Sequence, residues 1–130
     1  MILLDTHVVI WLMTSPERIS KNAALAIDQS GARGERALVS SASVYEIGYG
    51  ARLGRIRLHV AGTGFLDRLG AIFHLRAVTE EIAFWAASFP EPFHGDPIDR
   101  MIAATAIVEG CVLLTADNKI RQAGVCQTLW

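Results

Sequence analysis

The sequence predicts an α/β fold, a parallel sheet covered on both faces by helices, and three observations carry that expectation. Short apolar runs that read as strands alternate with helical segments along almost the whole chain. Ser, Thr and Asp residues stand where several of the helices should begin. The chain has 130 residues with 52% hydrophobic and 19% charged side chains, enough apolar material for one domain with a real core.

Residues 2–5 form a short apolar run ending in Asp5, expected to be a buried strand, and Val8, Val9, Trp11, Leu12 and Met13 continue as an apolar helix or turn. Ser15-Pro16-Glu17 is a helix-start signal with Pro at the first helical position. A helix is expected over about 20–29, a polar loop from Gly31 to Glu35, and a second strand at Ala37-Leu38-Val39. Ser40 to Ser43 is rich in capping residues and introduces a helix near 43–52 that ends around Gly54. Residues 55–62 read as irregular or briefly extended, 63–71 as a helix, and Phe73 to Val78 as the third strand.

Thr79 is the expected cap of a helix running to about Phe89, with Glu80 and Glu81 in the first turn, where the helix dipole favours acids. Pro90, Pro92 and Gly95 punctuate a loop, and Asp96-Pro97 opens a helix to about Glu109. Cys111 to Thr115 is the fourth strand, followed by a short helix from Asn118 to Gln122 and a final strand from Val125 to Leu129. The chain shows no repeat, low-complexity tract or linker, so residues 1–130 are expected to form a single domain.

Several functional classes are disfavoured at once. No apolar run reaches the roughly 18 residues a membrane span needs, and Met1 to Asp5 does not read as a signal peptide. Cys111 and Cys126 lie in apolar strand-like segments, as buried reduced thiols of a cytoplasmic protein would. The net charge of −1 argues against a general DNA coater, although it leaves a nuclease with an acidic site open. There is no P-loop, nucleophile elbow or dinucleotide glycine fingerprint, and Gly48 and Gly50 make no cofactor motif.

The acids are the informative residues. Asp5 ends the first strand, and Asp117 follows the fourth by two residues. Asp96 and Asp99 share a face at the start of one helix, and Glu46 lies in the first turns of the helix after strand two. In a parallel sheet with right-handed crossovers, all five approach the edge where open α/β sheets bind ligands. Each also has an ordinary structural use. Asp5, Asp96 and Asp117 are all suited to capping helices, Asp99 gains from the helix dipole, and Glu46 could be a solvated surface residue.

Together they would repel, by about 4 kcal/mol for two unit charges about 4 Å apart at an effective dielectric of about 20. A cation would relieve this. The all-oxygen set favours Mg²⁺ or Mn²⁺ over Zn²⁺, since His7, His59, His74 and His94 lack zinc-ligand spacing. Each reads as a surface or loop residue, although His7 and His94 fall near the proposed site. Phosphodiester hydrolysis suits a metal that activates water and neutralises a phosphoryl oxygen.

Four blocks in order resemble the signatures of the PIN-domain family, and VapC-type toxins within it. These are Leu3-Leu4-Asp5-Thr6-His7, Ser43-Val44-Tyr45-Glu46-Ile47, the run from Asp96 to Ala106, and Leu113-Leu114-Thr115-Ala116-Asp117. The resemblance implies a three-layer α/β/α sandwich around a central parallel sheet. It also implies a Mg²⁺- or Mn²⁺-dependent endoribonuclease, a homodimer, and a cognate antitoxin whose C-terminal segment blocks the site. By position, Asp5, Glu46, Asp99 and Asp117 match the family acids, with Thr115, and Thr6 beside Asp5, in support. Asp96 occurs in a subset of the family, as ligand or as cap.

Among the basic residues, Arg52, Arg55 and Arg57 are candidates to grip RNA phosphates, and Arg100 to meet phosphate or orient a carboxylate. Trp11, Trp85 and Trp130 read as core or dimer residues rather than base-stacking platforms. Exposed apolar residues near 8–13 and 44–53 would suit an antitoxin groove. The alternative function is a weakly catalytic or non-catalytic module using the same fold to hold RNA or a protein. A phosphoacceptor domain is a third reading, but Asp5-Thr6-His7, Val78-Thr79 and Leu129-Trp130 supply none of its acids or its Lys.

Overall fold

Each strand divides its side chains between two cores, as the twofold period of extended chain requires. Leu3, Leu38 and Leu113 point into one apolar cluster, while Ile2, Leu4, Val39 and Leu114 point into another. The computed structural model describes residues 1–59, 62–91, 93 and 95–130. Pro92, in the expected loop, and His94 lie outside them, as do two residues of the 55–62 segment.

The element order is β1 (Ile2–Leu4), α1 (Thr6–Thr14), a single 3-10 turn (Pro16–Arg18), α2 (Lys21–Ala32), β2 (Leu38–Ser40), α3 (Ser41–Arg52), α4 (Thr63–Ile72), β3 (His74–Arg76), α5 (Glu80–Ser88), α6 (Pro97–Val108), β4 (Val112–Leu114), α7 (Asn118–Ala123) and β5 (Thr128–Leu129). The five strands form one sheet in the order β3-β2-β1-β4-β5, with all pairings parallel. Residues of α5, α6 and α7 fill one core, those of α1, α2 and α4 fill the other, and α3 contributes to both through Ala42 and Ile47. This is the expected three-layer α/β/α sandwich.

β1 ends one residue before the expected run does, because Asp5 serves as the N-cap of α1. Ser40 caps α3 while remaining the last residue of β2, in register with Arg76. Ser15-Pro16-Glu17 opens a separate 3-10 turn rather than α2, which is capped by Ser20. Thr79 and Asp96 cap α5 and α6 as expected.

The topology fixes where a site can lie. From β1 the chain builds outward through β2 to β3 on one side and through β4 to β5 on the other. Open α/β sheets bind ligands in the crevice where strand order reverses, at the carboxyl ends of the strands. Here that crevice opens between the ends of β1 and β4.

Candidate active site

Asp5 sits at that switch point, bound on three sides. Its backbone N–H donates to the Leu114 carbonyl at 3.1 Å. Its Oδ1 accepts from the Thr6 N–H at 2.7 Å, and its Oδ2 accepts from the Thr115 hydroxyl at 2.6 Å. The residue is 3% exposed. Thr115 Oγ1 in turn accepts from the Asp117 N–H at 3.0 Å, so one buried hydroxyl links the two acids. Asp117 caps α7, its Oδ1 accepting from Lys119 and Ile120, while Asp96 caps α6 through Ile98 and Asp99. Both are therefore helix caps, as their sequence context suggested, and both still border the site.

A cleft of about 450 Å³ brings the acids together. Asp5, Glu46, Asp96, Asp99 and Asp117 line it, with Thr6, His7, Tyr49 and Arg55 among the other walls. Gly50 lets the chain return to the cleft rim. The Arg55 and Ile56 N–H groups both donate to its carbonyl, and a Cβ there would stand 2.6 Å from Ile56 Cδ1.

The electrostatics register the crowding. Burial first, and then the charges of Asp96, Asp5, Glu46 and Asp117, raise the Asp99 carboxyl to about 7. Glu46 is raised by burial, with Asp5 and Asp96 adding to the effect. Asp5 is also raised by burial, against the opposing influence of His7 and of its hydrogen bonds from Thr115 and Thr6. Such shifts mark sites that hold charge under strain.

The donor set suits a hard dication, because five carboxylates offer oxygen and neither thiol is among the residues lining the cleft. Among the described residues, no three His, Cys, Asp or Glu side chains close on a common point. The Thr6 hydroxyl adds a further oxygen. It is buried without a hydrogen bond of good geometry, although it stands near enough to the Glu46 carboxyl to favour its ionised form.

Not every candidate belongs here. Arg100 is occupied elsewhere: its guanidinium donates to the carbonyls of Ala86, Ala87, Phe89 and Phe93 and lies against two phenylalanine rings. That corrects its reading as a phosphate contact, because a fork spent on main-chain oxygens is a structural clamp. Of the other arginines, Arg55 lines the acid cleft, Arg57 lines an adjoining apolar groove, and Arg52 is exposed in the last turn of α3. Trp11 and Trp130 are half-buried against each other, 5.7 Å between ring centroids, whereas Trp85 is exposed rather than core.

His7 is the residue whose involvement the sequence understated. It lies within the cleft wall, its Nε2 accepting from the Ala116 N–H at 2.9 Å and its Nδ1 standing 3.5 Å from Asp5 Oδ2. The signal available in the sequence was only its place two residues after Asp5. Both cysteines are free thiols, and burial pushes each up to about 11.

A parallel α/β sheet whose switch point is ringed by carboxylates defines a class of acidic, oxygen-donor sites, and comparison with known proteins gives it a family. The chain belongs to the PIN-domain family, whose model matches residues 2–125. It is 34% identical to Ribonuclease VapC22 of Mycobacterium tuberculosis over 120 residues, covering 92% of this chain and 89% of that protein. Its fold is also that of chains in two solved complexes. One is VapBC2 from Rickettsia felis bound to a DNA fragment from its promoter, with a TM-score of 0.73, 16% identity, and coverage of 99% of this chain and 98% of that one. The other is VapBC-1 from nontypeable Haemophilus influenzae, with a TM-score of 0.72, 21% identity, and coverage of 99% and 97%.

Proposed function

We propose that this chain is a Mg²⁺- or Mn²⁺-dependent endoribonuclease that acts as the toxin of a toxin–antitoxin pair. The observation that carries the reading is the convergence of five carboxylates, from segments up to 112 positions apart in sequence, on one cleft at the ends of β1 and β4. A relative 34% identical that is named a ribonuclease supports the chemistry. Solved complexes of the same fold, described as VapBC and as toxin–antitoxin assemblies, support the partner.

In this reading Asp5, Glu46, Asp99 and Asp117 would hold the ion, with Asp96, whose Oδ1 caps α6, as a further carboxylate of the same cleft. The chemistry a divalent ion would supply there is acidification of a water and neutralisation of charge on a phosphoryl oxygen. The chain's own residues do the rest. Thr115 and the Thr6 N–H lock the Asp5 carboxyl in one orientation, so it does not have to be ordered when the ion arrives. Arg55, exposed on the cleft rim, faces the path of an RNA phosphate and supplies positive charge beside an acidic floor.

The antitoxin has a suitable seat. An apolar groove of about 210 Å³ is lined by Leu12, Ile47, Leu58, Phe65 and Ile72, and it shares Ile10 and Ile56 with the acid cleft. An amphipathic segment laid in it would reach the catalytic acids. Exposed Phe84 and Trp85 on α5 offer an apolar face to a second copy, consistent with a homodimer. Two free thiols accord with a cytoplasmic protein, and among the described residues no helix is long and apolar enough to cross a membrane.

The test is RNA cleavage by purified protein with Mg²⁺ or Mn²⁺. Activity should vanish with EDTA and in Asp5→Asn. Equal cleavage by that variant would mean that a contaminant is responsible, and growth arrest on induction should follow wild type but not Asp5→Asn.

A further inference from the structure

We infer that His7 is a positioning residue for the acid cleft, a bridge that sets the spacing between Asp5 and the Ala116–Asp117 turn. This deepens the proposed function and rests on its carboxylate reading. The two contacts fall on opposite ring nitrogens. Ala116 N–H donates to Nε2 at 2.9 Å, so Nε2 carries no proton. A neutral imidazole with Nε2 bare has its proton on Nδ1, which stands 3.5 Å from Asp5 Oδ2. The ring therefore presents a donor to the end of β1 and an acceptor to the turn after β4.

The ring's own setting holds it there. His7 lies in the first turn of α1, immediately after the cap formed by Asp5. Its ring meets Trp11 at 4.8 Å and, edge-on, Trp130 at 6.2 Å, and the Arg18 guanidinium lies over Trp11, 4.1 Å from its centroid. With one face walled by indoles, the imidazole has little freedom to turn away from the cleft. Thr115 links Asp5 and Asp117 on the buried side through two hydrogen bonds. Half-buried His7, carried two residues after Asp5, holds the Ala116 N–H and sets its Nδ1 3.5 Å from Asp5 Oδ2, a dipole-to-carboxylate approach longer than a good hydrogen bond. Two independent ties at one sheet edge would fix the distance between acids on different strands. A single tie would leave the Ala116–Asp117 turn free to pivot. Partners that orient ligating carboxylates in this way typically contribute 10- to 100-fold in metal affinity, by rough rule.

Two measurements test this. In metal-free wild type, nitrogen NMR of the labelled imidazole should show Nδ1 protonated and Nε2 bare; a protonated Nε2 overturns the bridge whatever the ion does. The second measurement is Mn²⁺ titration without RNA, run on wild type, Asp99→Asn, His7→Phe and His7→Gln, each first shown by melting to be folded. Phe keeps the ring packing and loses both nitrogens, so its Mn²⁺ affinity should fall about tenfold or more. Gln carries an acceptor that can reach the Ala116 N–H, and it should recover much of that loss. Wild-type affinity in His7→Phe, alongside weakened binding in Asp99→Asn, overturns the role of His7 and leaves the acid site standing. No Mn²⁺ binding by wild type overturns the carboxylate reading and this inference with it.

Discussion

Thr115 donates its hydroxyl hydrogen to Asp5 across 2.6 Å of space and 110 residues of chain, inside a core that excludes both from water. The same oxygen accepts from the Asp117 N–H, so one buried hydroxyl ties two acids of the cleft together. A buried hydrogen bond to a charged acceptor is among the stronger kinds, and removing one partner leaves the other unsatisfied. The consequences of that geometry and of its surroundings can be measured.

Thr115→Val keeps the shape and removes the hydroxyl. It should cost about 1–3 kcal/mol of stability, the usual penalty for stranding a buried polar partner. Thr115→Ser should lose less, because it restores the donor. Urea denaturation at neutral pH reads the difference, and equal stability of Val and Ser variants would remove the hydroxyl from the account.

Asp99 predicts a pH dependence. Its folded carboxyl sits at about 7, against an ordinary value of 3.8. Between those two values the folded state binds more proton than the unfolded state, so stability from this group is full at low pH and declines as pH rises through the window. Without divalent ions, the melting temperature should fall from about pH 4 to pH 7 more steeply in wild type than in Asp99→Asn. Parallel profiles would show that the carboxyl is not raised.

Mg²⁺ should reverse that loss. An ion that binds only the folded state stabilises it by mass action, and it relieves repulsion among the acids. Saturating Mg²⁺ at pH 7.5 should raise the melting temperature of wild type by several degrees, of order 1–3 kcal/mol, and that of Asp99→Asn by less. Equal shifts would exclude Asp99 as a ligand.

Arg100 should behave as a structural residue. Arg100→Lys keeps the charge but cannot reach the four carbonyls that the guanidinium fork spans, so it should destabilise by about 2–3 kcal/mol. RNA affinity of the folded fraction should stay that of wild type. A stable variant with weakened RNA binding would restore Arg100 to the substrate path.

The apolar groove gives a separable prediction. Ile72 lines it at 52% exposure, so Ile72→Asp should leave the fold and RNA cleavage unchanged. It should weaken binding of the antitoxin segment about tenfold or more, as loss of a buried apolar anchor does. Unchanged antitoxin binding would place the seat elsewhere.

The order of elements was legible in the chain alone, because hydrophobic period and cap residues are local properties. Thr79 and Asp96 could be read as caps directly, since a cap needs only its own hydroxyl or carboxylate and the next turn's N–H groups. The acids, too, could be listed, and the switch-point rule placed them at one edge. Strand ends were less legible: Asp5 completes an apolar run yet lies past β1 as the cap of α1, whereas Ser40 is at once the last residue of β2 and the cap of α3.

Roles that depend on partners distant in sequence emerged only in the folded molecule. Arg100 next to Asp99 looks like part of the site, but the carbonyls that capture its guanidinium belong to the end of α5 and the segment beyond, whose approach no local pattern encodes. His7 acquires its role from Ala116, which is 109 residues away. The raised carboxyl of Asp99 likewise exists only because burial and four other acids meet in one cleft. Local preference follows from a residue and its neighbours along the chain, whereas charge, hydrogen bonding and solvent exclusion follow from neighbours in space.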